Sequence, residues 1–429
     1  MSIQKLLLTS ALVAGFAVNA LASGPSVTLG GSLDTYINAT SQKSAFKYNG
    51  FATQDASNKL NQSAVANDTN LHVNVAGKAG NGLKYGGKIL LNADASANKY
   101  ATASVDANGV VSYASSSQAI ETMAYAETMF GRLEAGTTPG VYNSFKVNAA
   151  NIARATGGID GNSQYSWNPA ITTSGGAYAL VSNRFWVNPN LPSNYSTANS
   201  ANAAKVSVVS PTWMGLKAGI SYIPDMAQSG TVNGTHTVAR LQDATGAAIN
   251  PAAPYRNVIS GGLHYAATMQ KIGFKASLLG ETGKAKNDTA GIQRHKLKAW
   301  ELGAGVSYMG FALNGSFADM GDSGLTKAVT PGKKNTKYWT LGGAYEYGAA
   351  GLSVTYMTST RGLLEGAGTK ENKFSNLSIG LDYKLAPGFM PYAEVSAFKI
   401  DERAPANSAT AGQMKNTGTV FLVGSKLVF

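Results

Sequence analysis

Alternation of apolar and polar positions with a period of two runs through most of the chain. Residues 26–38 set Val27, Leu29, Leu33 and Ile37 against Ser32, Asp34 and Tyr36. Residues 67–77 set Leu71, Val73 and Val75 against Asn70, His72 and Asn74, and residues 83–93 set Tyr85, Ile89 and Leu91 against Lys84, Lys88 and Asn92. Successive side chains of a strand point to opposite faces, so each segment has one greasy face and one polar face. Between the last two, Ala79-Gly80-Asn81-Gly82 is a hairpin signal. The same unit of strand, short turn and strand recurs at 119–128 with 131–137, 205–209 with 216–223, 257–268 with 272–280, 300–308 with 311–317, 338–347 with 352–357, and 374–385 with 391–400. Counting the first and last segments, the pattern predicts about sixteen strands.

Short turns alternate with longer polar loops at 40–66, 95–117, 188–204, 224–255 and 284–296, which are rich in Asn, Ser, Ala, Gly and Lys. Transmembrane β-barrels show this asymmetry, with short turns at one rim and long loops at the other. A soluble β-sandwich is the rival, but it needs neither so many strands nor aromatic rings near the strand ends. Tyr222, Tyr265, Trp300, Tyr308, Trp339, Tyr345, Tyr347, Tyr356 and Tyr383 all fall on the greasy parity, several beside turns. Rings there suit the two interfaces of a bilayer. The last strand puts Phe421, Val423, Leu427 and Phe429 on one face, interrupted by Ser425, with Gly424 and Lys426 on the other. The expected fold is all-β, a closed transmembrane antiparallel β-barrel.

Composition adds a compartment. Residues 1–22 carry one base, Lys5, an apolar stretch from Leu6 to Val18, and the small-residue site Ala20-Leu21-Ala22. That is the pattern of a secretory signal peptide, leaving residues 23–429 as the barrel domain. No later run is apolar enough for a membrane helix. Cysteine is absent, so an exported chain must be held by something other than disulfides, and a closed hydrogen-bonded sheet suffices. The formal net charge is +12, and +11 once Lys5 leaves with the leader, which favours anionic partners. No nucleic-acid motif accompanies it, and no cofactor is expected.

Three stretches carry a family resemblance. Tyr125-Ala-Glu-Thr-Met-Phe-Gly-Arg-Leu-Glu-Ala-Gly136 has a strand, tight turn and strand with Gly131, Leu133 and Gly136 in a Gly-x-Leu-x-x-Gly arrangement. Lys205-Val-Ser-Val-Val-Ser-Pro-Thr-Trp-Met-Gly-Leu216 has a Ser-Pro turn at Pro211 and a glycine at Gly215. The chain closes on Phe429, with Gly424 five places before it and Leu427 two before, which is similar to the signal read by the bacterial barrel assembly machinery. Leu422 stands where that signal usually has a polar residue. In this order the stretches resemble the general porins of Gram-negative outer membranes, especially the alphaproteobacterial type. The first strand departs from the family at Gly30-Gly31, and residues 183–203 look like an added loop. The resemblance implies a sixteen-stranded homotrimer in the outer membrane, a third loop folded inward to narrow the lumen, and a short loop latching onto a neighbouring subunit. Outer-membrane lipid, lipopolysaccharide included, would surround it.

The third-loop segment, 138–167, contains Lys146 and Arg154 against one acid, Asp160; these are the expected constriction residues. Parity places Asp34, Lys84, Lys88, Glu127, Arg132 and Glu134 on the lumen wall. A water-filled pore selects by width and by lining charge. The balance here predicts passive diffusion of small hydrophilic solutes and ions with a weak preference for anions. The other reading is a structural or adhesive surface barrel with a filled lumen. Enzyme readings fail on motif grounds: the four histidines show no metal spacing and no Gly-x-Ser-x-Gly stretch occurs.

Overall fold

The structure, a computed structural model, describes residues 24–47, 59–94, 102–105, 111–114, 119–167, 170–173, 176–179, 188–194, 203–226, 241–242, 248–249, 255–285, 293–323, 327, 335–361, 372–403 and 413–429. The expected leader, 1–22, lies outside them, as does most of the loop expected to latch onto a neighbour. Sixteen strands close one barrel. They are β1 (Ser26–Gln42), β2 (Ser63–Lys78), β3 (Lys84–Asn92), β4 (Ala119–Thr128), β5 (Gly131–Thr137), β6 (Ala204–Val209), β7 (Leu216–Asp225) and β8 (Tyr255–Met269). The second half comprises β9 (Ile272–Ala285), β10 (Leu297–Tyr308), β11 (Phe311–Asp319), β12 (Lys337–Tyr347), β13 (Ala350–Arg361), β14 (Asn372–Tyr383), β15 (Phe389–Arg403) and β16 (Gln413–Val428). Three short ribbons, at 102–105 with 111–114, 170–173 with 176–179, and 241–242 with 248–249, stand outside the barrel sheet.

Each strand pairs antiparallel with its neighbours in sequence, and β1 pairs with β16 to shut the sheet, Leu33 opposite Leu427 and Ile37 opposite Val423. Phe429 extends this seam: the Gly31 amide donates to its carbonyl at 2.9 Å, and its own amide donates to the Gly31 carbonyl at 3.1 Å. Closure is the physical requirement for a sheet in hydrocarbon, because an edge would leave amides and carbonyls unpaired where no water can reach them.

The side chains follow the alternation. Leu29, Leu33, Leu302, Leu313, Leu341, Ile379 and Phe421 are exposed on the outside. Alternate positions hold Asp34, Ser277, Glu301, Thr340, Ser378 and Glu394, all buried. Nearer the long-loop rim the inner positions include apolar side chains as well, Ile223, Leu279, Tyr338, Met357, Phe374 and Ile400 among them, all buried. Rings form two bands on the outer wall. Trp300 meets Phe317 at 5.6 Å and Trp339 meets Tyr356 at 5.1 Å towards the long-loop rim, while Phe311 stacks on Tyr345 at 4.1 Å beside the short turns. Those turns, for instance Met309-Gly310 between β10 and β11, lie at the rim where β1 begins and β16 ends. Both residues of that turn have positive φ, 46° and 86°, the backbone that matches the twist of a two-residue hairpin.

Candidate pore constriction

The part of the β5–β6 connection that directly follows β5 does not project from the rim. Residues 138–167 lie against the polar inner face as α1 (Gly140–Phe145) followed by single 3-10 turns at Ala149–Ile152, Gly158–Asp160 and Asn162–Tyr165. The segment arcs past strand after strand, and its amides bond wall side chains as it goes. Val141 donates to Ser221 Oγ at 3.0 Å, Val147 to Ser277 Oγ at 3.1 Å, Ala149 to Thr340 Oγ1 at 3.2 Å, and Arg154 to Ser353 Oγ at 2.8 Å. Thr156 donates to Glu394 through its amide at 3.0 Å and its hydroxyl at 2.7 Å. At the far end Asn38 of β1 donates to Ser166 Oγ at 2.9 Å. An irregular backbone must find partners outside itself, and hydroxyls at alternate strand positions supply them.

Apolar side chains do the rest of the seating. Val141, Phe145, Val147 and Ile159 are buried, and Trp167 stacks on Phe398 at 5.0 Å. The wall makes room at Gly303, where an added Cβ would run into the carbonyl of Val147. The Tyr142 hydroxyl donates to Glu301 of β10 in a short hydrogen bond. Burial, then the neighbouring Glu301 charge, pushes the Tyr142 phenol well above its ordinary range, so the group stays a donor.

The three residues expected at the constriction all sit on this segment. Lys146 and Asp160 are brought together at 3.7 Å, and Lys146 Nζ also donates to Asn190 Oδ1 at 2.7 Å. The Lys146 side chain keeps 9% of its exposure, so it crosslinks the interior more than it lines open water. Arg154 stands apart from this pair. Its guanidinium reaches two wall carboxylates, Glu346 at 2.6 Å and Asp382 at 3.7 Å, and Lys384 approaches Glu346 from the other side.

The wall residues fall into three places. Lys84, Glu127, Arg132 and Glu134 cluster beside the short turns: Lys84 to Glu127 is 2.8 Å, Arg132 to Glu134 is 2.6 Å and Arg132 to Glu127 is 3.5 Å. Arg132 also lies over the Tyr125 ring, 3.8 Å from its centroid. Lys88 sits further in, 2.8 Å from Glu121, whose other oxygen accepts from Thr138 Oγ1 at 3.1 Å. Asp34 accepts from the Tyr392 hydroxyl at 2.6 Å and lies 3.8 Å from Lys426. Of the assembly residues, Gly424 stands opposite both Tyr36 and Tyr392, while Leu427 and Phe429 are exposed on the outside. Each of these bases therefore has an acid within 4.0 Å, and the field it adds to the lumen is that of a dipole, which decays faster than that of a free charge.

Sequence reasoning missed four contributors. Glu394 and Ser396, which bonds Ser163 at 3.0 Å, were readable as inward positions of β15, but parity could not say that they hold the loop. Tyr142 carried no signal. Residues 188–194, which include the 3-10 turn Pro192–Asn194, looked like part of an added loop; the structure lays them against the inner segment. Among the described residues no group of three or more acids and histidines is placed to hold a metal ion.

Residues 9–403 match the family model described as Gram-negative porin. An uncharacterized protein of Rickettsia bellii is 28% identical over 346 residues, which covers 71% of this chain and 75% of the relative. Among solved structures, an anion-selective porin from Comamonas acidovorans aligns with a TM-score of 0.52 at 16% identity, covering 94% of this chain and 100% of that one. The outer membrane channel DcaP of Acinetobacter baumannii aligns with a TM-score of 0.51 at 14% identity over 96% of this chain and 100% of that one. At such identities the structural likeness is one of fold.

Proposed function

Because the chain belongs to the Gram-negative porin family, we propose that it forms a water-filled outer-membrane channel for passive diffusion of small hydrophilic solutes and ions, with a weak preference for anions. One observation carries the reading: a closed sixteen-stranded barrel is crossed on the inside by a segment whose own backbone is bonded to polar side chains of the wall. A barrel of this strand number leaves a lumen too wide for side chains to fill. The anion preference rests on the excess of bases, and its weakness on the pairing of those bases with acids. Lys146, Arg154 and Asp160 are the proposed constriction residues, with Lys84, Lys88, Arg132, Glu127, Glu134 and Asp34 on the wall.

The measurement is the zero-current potential of the purified protein across a planar bilayer in a salt gradient. A small potential of the sign for anions is expected. A clear cation preference would remove the charge assignment and leave the channel reading intact, whereas no conductance at all would favour a filled structural or adhesive barrel.

The outer wall supports two further proposals. The first is a homotrimer. The outward faces of β1 to β5 hold no charged side chain among the described residues, and Val27, Leu29, Ile37, Val65 and Ile89 are exposed there. That sector is the proposed subunit interface. The second is lipid contact. Lys284, Lys298, Lys337, Lys373, Lys399 and Lys415 occupy outward positions near the long-loop ends of their strands, two residues beyond the ring band at Trp300 and Trp339. Such a step is about 7 Å along a strand, the height of headgroup phosphates, lipopolysaccharide included. A leader at 1–22 and barrel-assembly recognition of Gly424, Leu427 and Phe429 complete the proposed route to the outer membrane.

A further inference from the structure

Residues 188–194 belong to a long connection, and a polar connection ordinarily sits in bulk water. Here Asn188, Asn190, Leu191, Pro192, Ser193 and Asn194 are all buried. Their partners lie inside the barrel. The Ser193 amide donates to Glu281 Oε2 at 3.0 Å, and its hydroxyl makes a short bond to the other oxygen of the same carboxylate and lies 3.3 Å from Ser260 Oγ. Glu281 and Ser260 are inward positions of β9 and β8, so the contact is on the lumen side. A buried carboxylate is costly without donors, and Ser193 supplies two of them from one residue.

The opposite edge rests on the constriction segment and touches both of its limbs. Asn190 accepts from Lys146 at 2.7 Å and reaches Asp160 at 3.3 Å. Asn148 donates to the Pro189 carbonyl at 3.0 Å, and Asn194 donates to Asn143 Oδ1 at 3.3 Å. Its height follows from the strand it latches to. The constriction segment meets β9 at Ser277, and the latch is at Glu281, four positions nearer the long-loop rim. That separates the two contacts by about 13 Å along the strand.

We propose that residues 188–194 are a strap forming a second constriction, stacked on the long-loop side of the first, and that the two together set the size limit of the channel. The proposal rests on the channel reading. The strap closes the space between the constriction segment and the β8–β9 wall. Asn190 ties the strap to the Lys146–Asp160 pair, of which Asp160 keeps the greater exposure, 26% of its side chain.

The chain has no cysteine, which makes the placement testable by crosslinking. Ser193→Cys together with Ser260→Cys should form a disulfide on oxidation of the folded protein. Failure to crosslink in a heat-modifiable, folded barrel would overturn the placement. In the second arm, Asn190→Ala, Ser193→Ala and Asn194→Ala are combined to release the strap. Single-channel conductance should rise about twofold, and larger neutral polyethylene glycols should enter. Unchanged conductance and an unchanged polymer cut-off would overturn the proposal. A wild-type barrel that does not conduct would remove the channel reading, while the crosslink would still decide where the strap sits.

Discussion

At the scale of single residues, the lumen is governed by pairing more than by net charge. Arg154 is the clearest case, since one guanidinium faces Glu346 and Asp382. Arg154→Ala would leave these two carboxylates with Lys384 as the remaining base beside Glu346. The zero-current potential should then move towards cation preference, and an unmoved potential would show that this cluster lies off the conducting path. Tyr142 makes a different prediction. Its phenol holds its proton well above the ordinary value of 10.0, chiefly through burial. A proton bound more tightly in the folded state stabilises that state fully below the unfolded value, and the benefit is lost as pH rises through the folded one. The phenol therefore adds no pH dependence of its own up to about 10, and its bond to Glu301 should weaken above that. Tyr142→Phe should remove that alkaline dependence and cost about 1–3 kcal/mol, because Glu301 stays buried with one donor fewer. Protease cleavage within residues 138–167, followed against pH in both proteins, checks this.

At the scale of elements, the constriction segment is held by many modest contacts spread over the wall. Serine and threonine hydroxyls of β7, β9, β12 and β13 take its amides one at a time. No single one of them should be decisive, since a net hydrogen bond contributes about 1 kcal/mol. Steric approach is less forgiving. At Gly303 the wall has no side chain and the Val147 carbonyl occupies the place where a Cβ would stand. Gly303→Leu should push the segment off β10 and change single-channel conductance, while the barrel keeps its heat-modifiable mobility on gels. Glu394→Ala should act more mildly by releasing Thr156, and the two changes together should exceed either alone.

At the scale of the whole molecule, stability comes from closure. The outer face gains nothing from leaving water for other side chains, because lipid is its solvent, and the backbone ladder must be complete. The seam of β1 with β16 shuts the sheet, and Phe429 adds two hydrogen bonds to it with Gly31. Removal of Phe429 should lower the yield of folded protein in the outer membrane without altering the conductance of the molecules that do assemble. Wild-type conductance and wild-type yield together would show that neither the terminal ring nor its backbone bonds matter. Association belongs to this scale as well. Mass measurement in mild detergent should return a trimer, and a charged substitution at an outward position of β1, such as Leu33→Lys, should shift it to monomer.

The sequence by itself determined the architecture, because a period of two with a greasy and a polar face is a local property that every strand repeats. Val27, Leu29, Leu33 and Ile37 announce an outer face without reference to any other part of the chain, and the lengths of the connections say which rim is which. Parity likewise put Asp34, Lys88 and Glu134 on the inside. Only the tertiary structure decided what those residues meet. Arg154 and Asp382 are 228 positions apart, and Ser193 and Glu281 are 88 apart. Nothing local links them, since a connection without periodicity carries no record of the surface it will lie on. The family resemblance supplied the inward course of residues 138–167, but the pairing of Lys146 with Asp160 and the seat of residues 188–194 arise only when the barrel closes around them. Side-chain direction is set by neighbours one and two residues away, whereas electrostatic partnership is set by which distant strands closure brings within 4.0 Å.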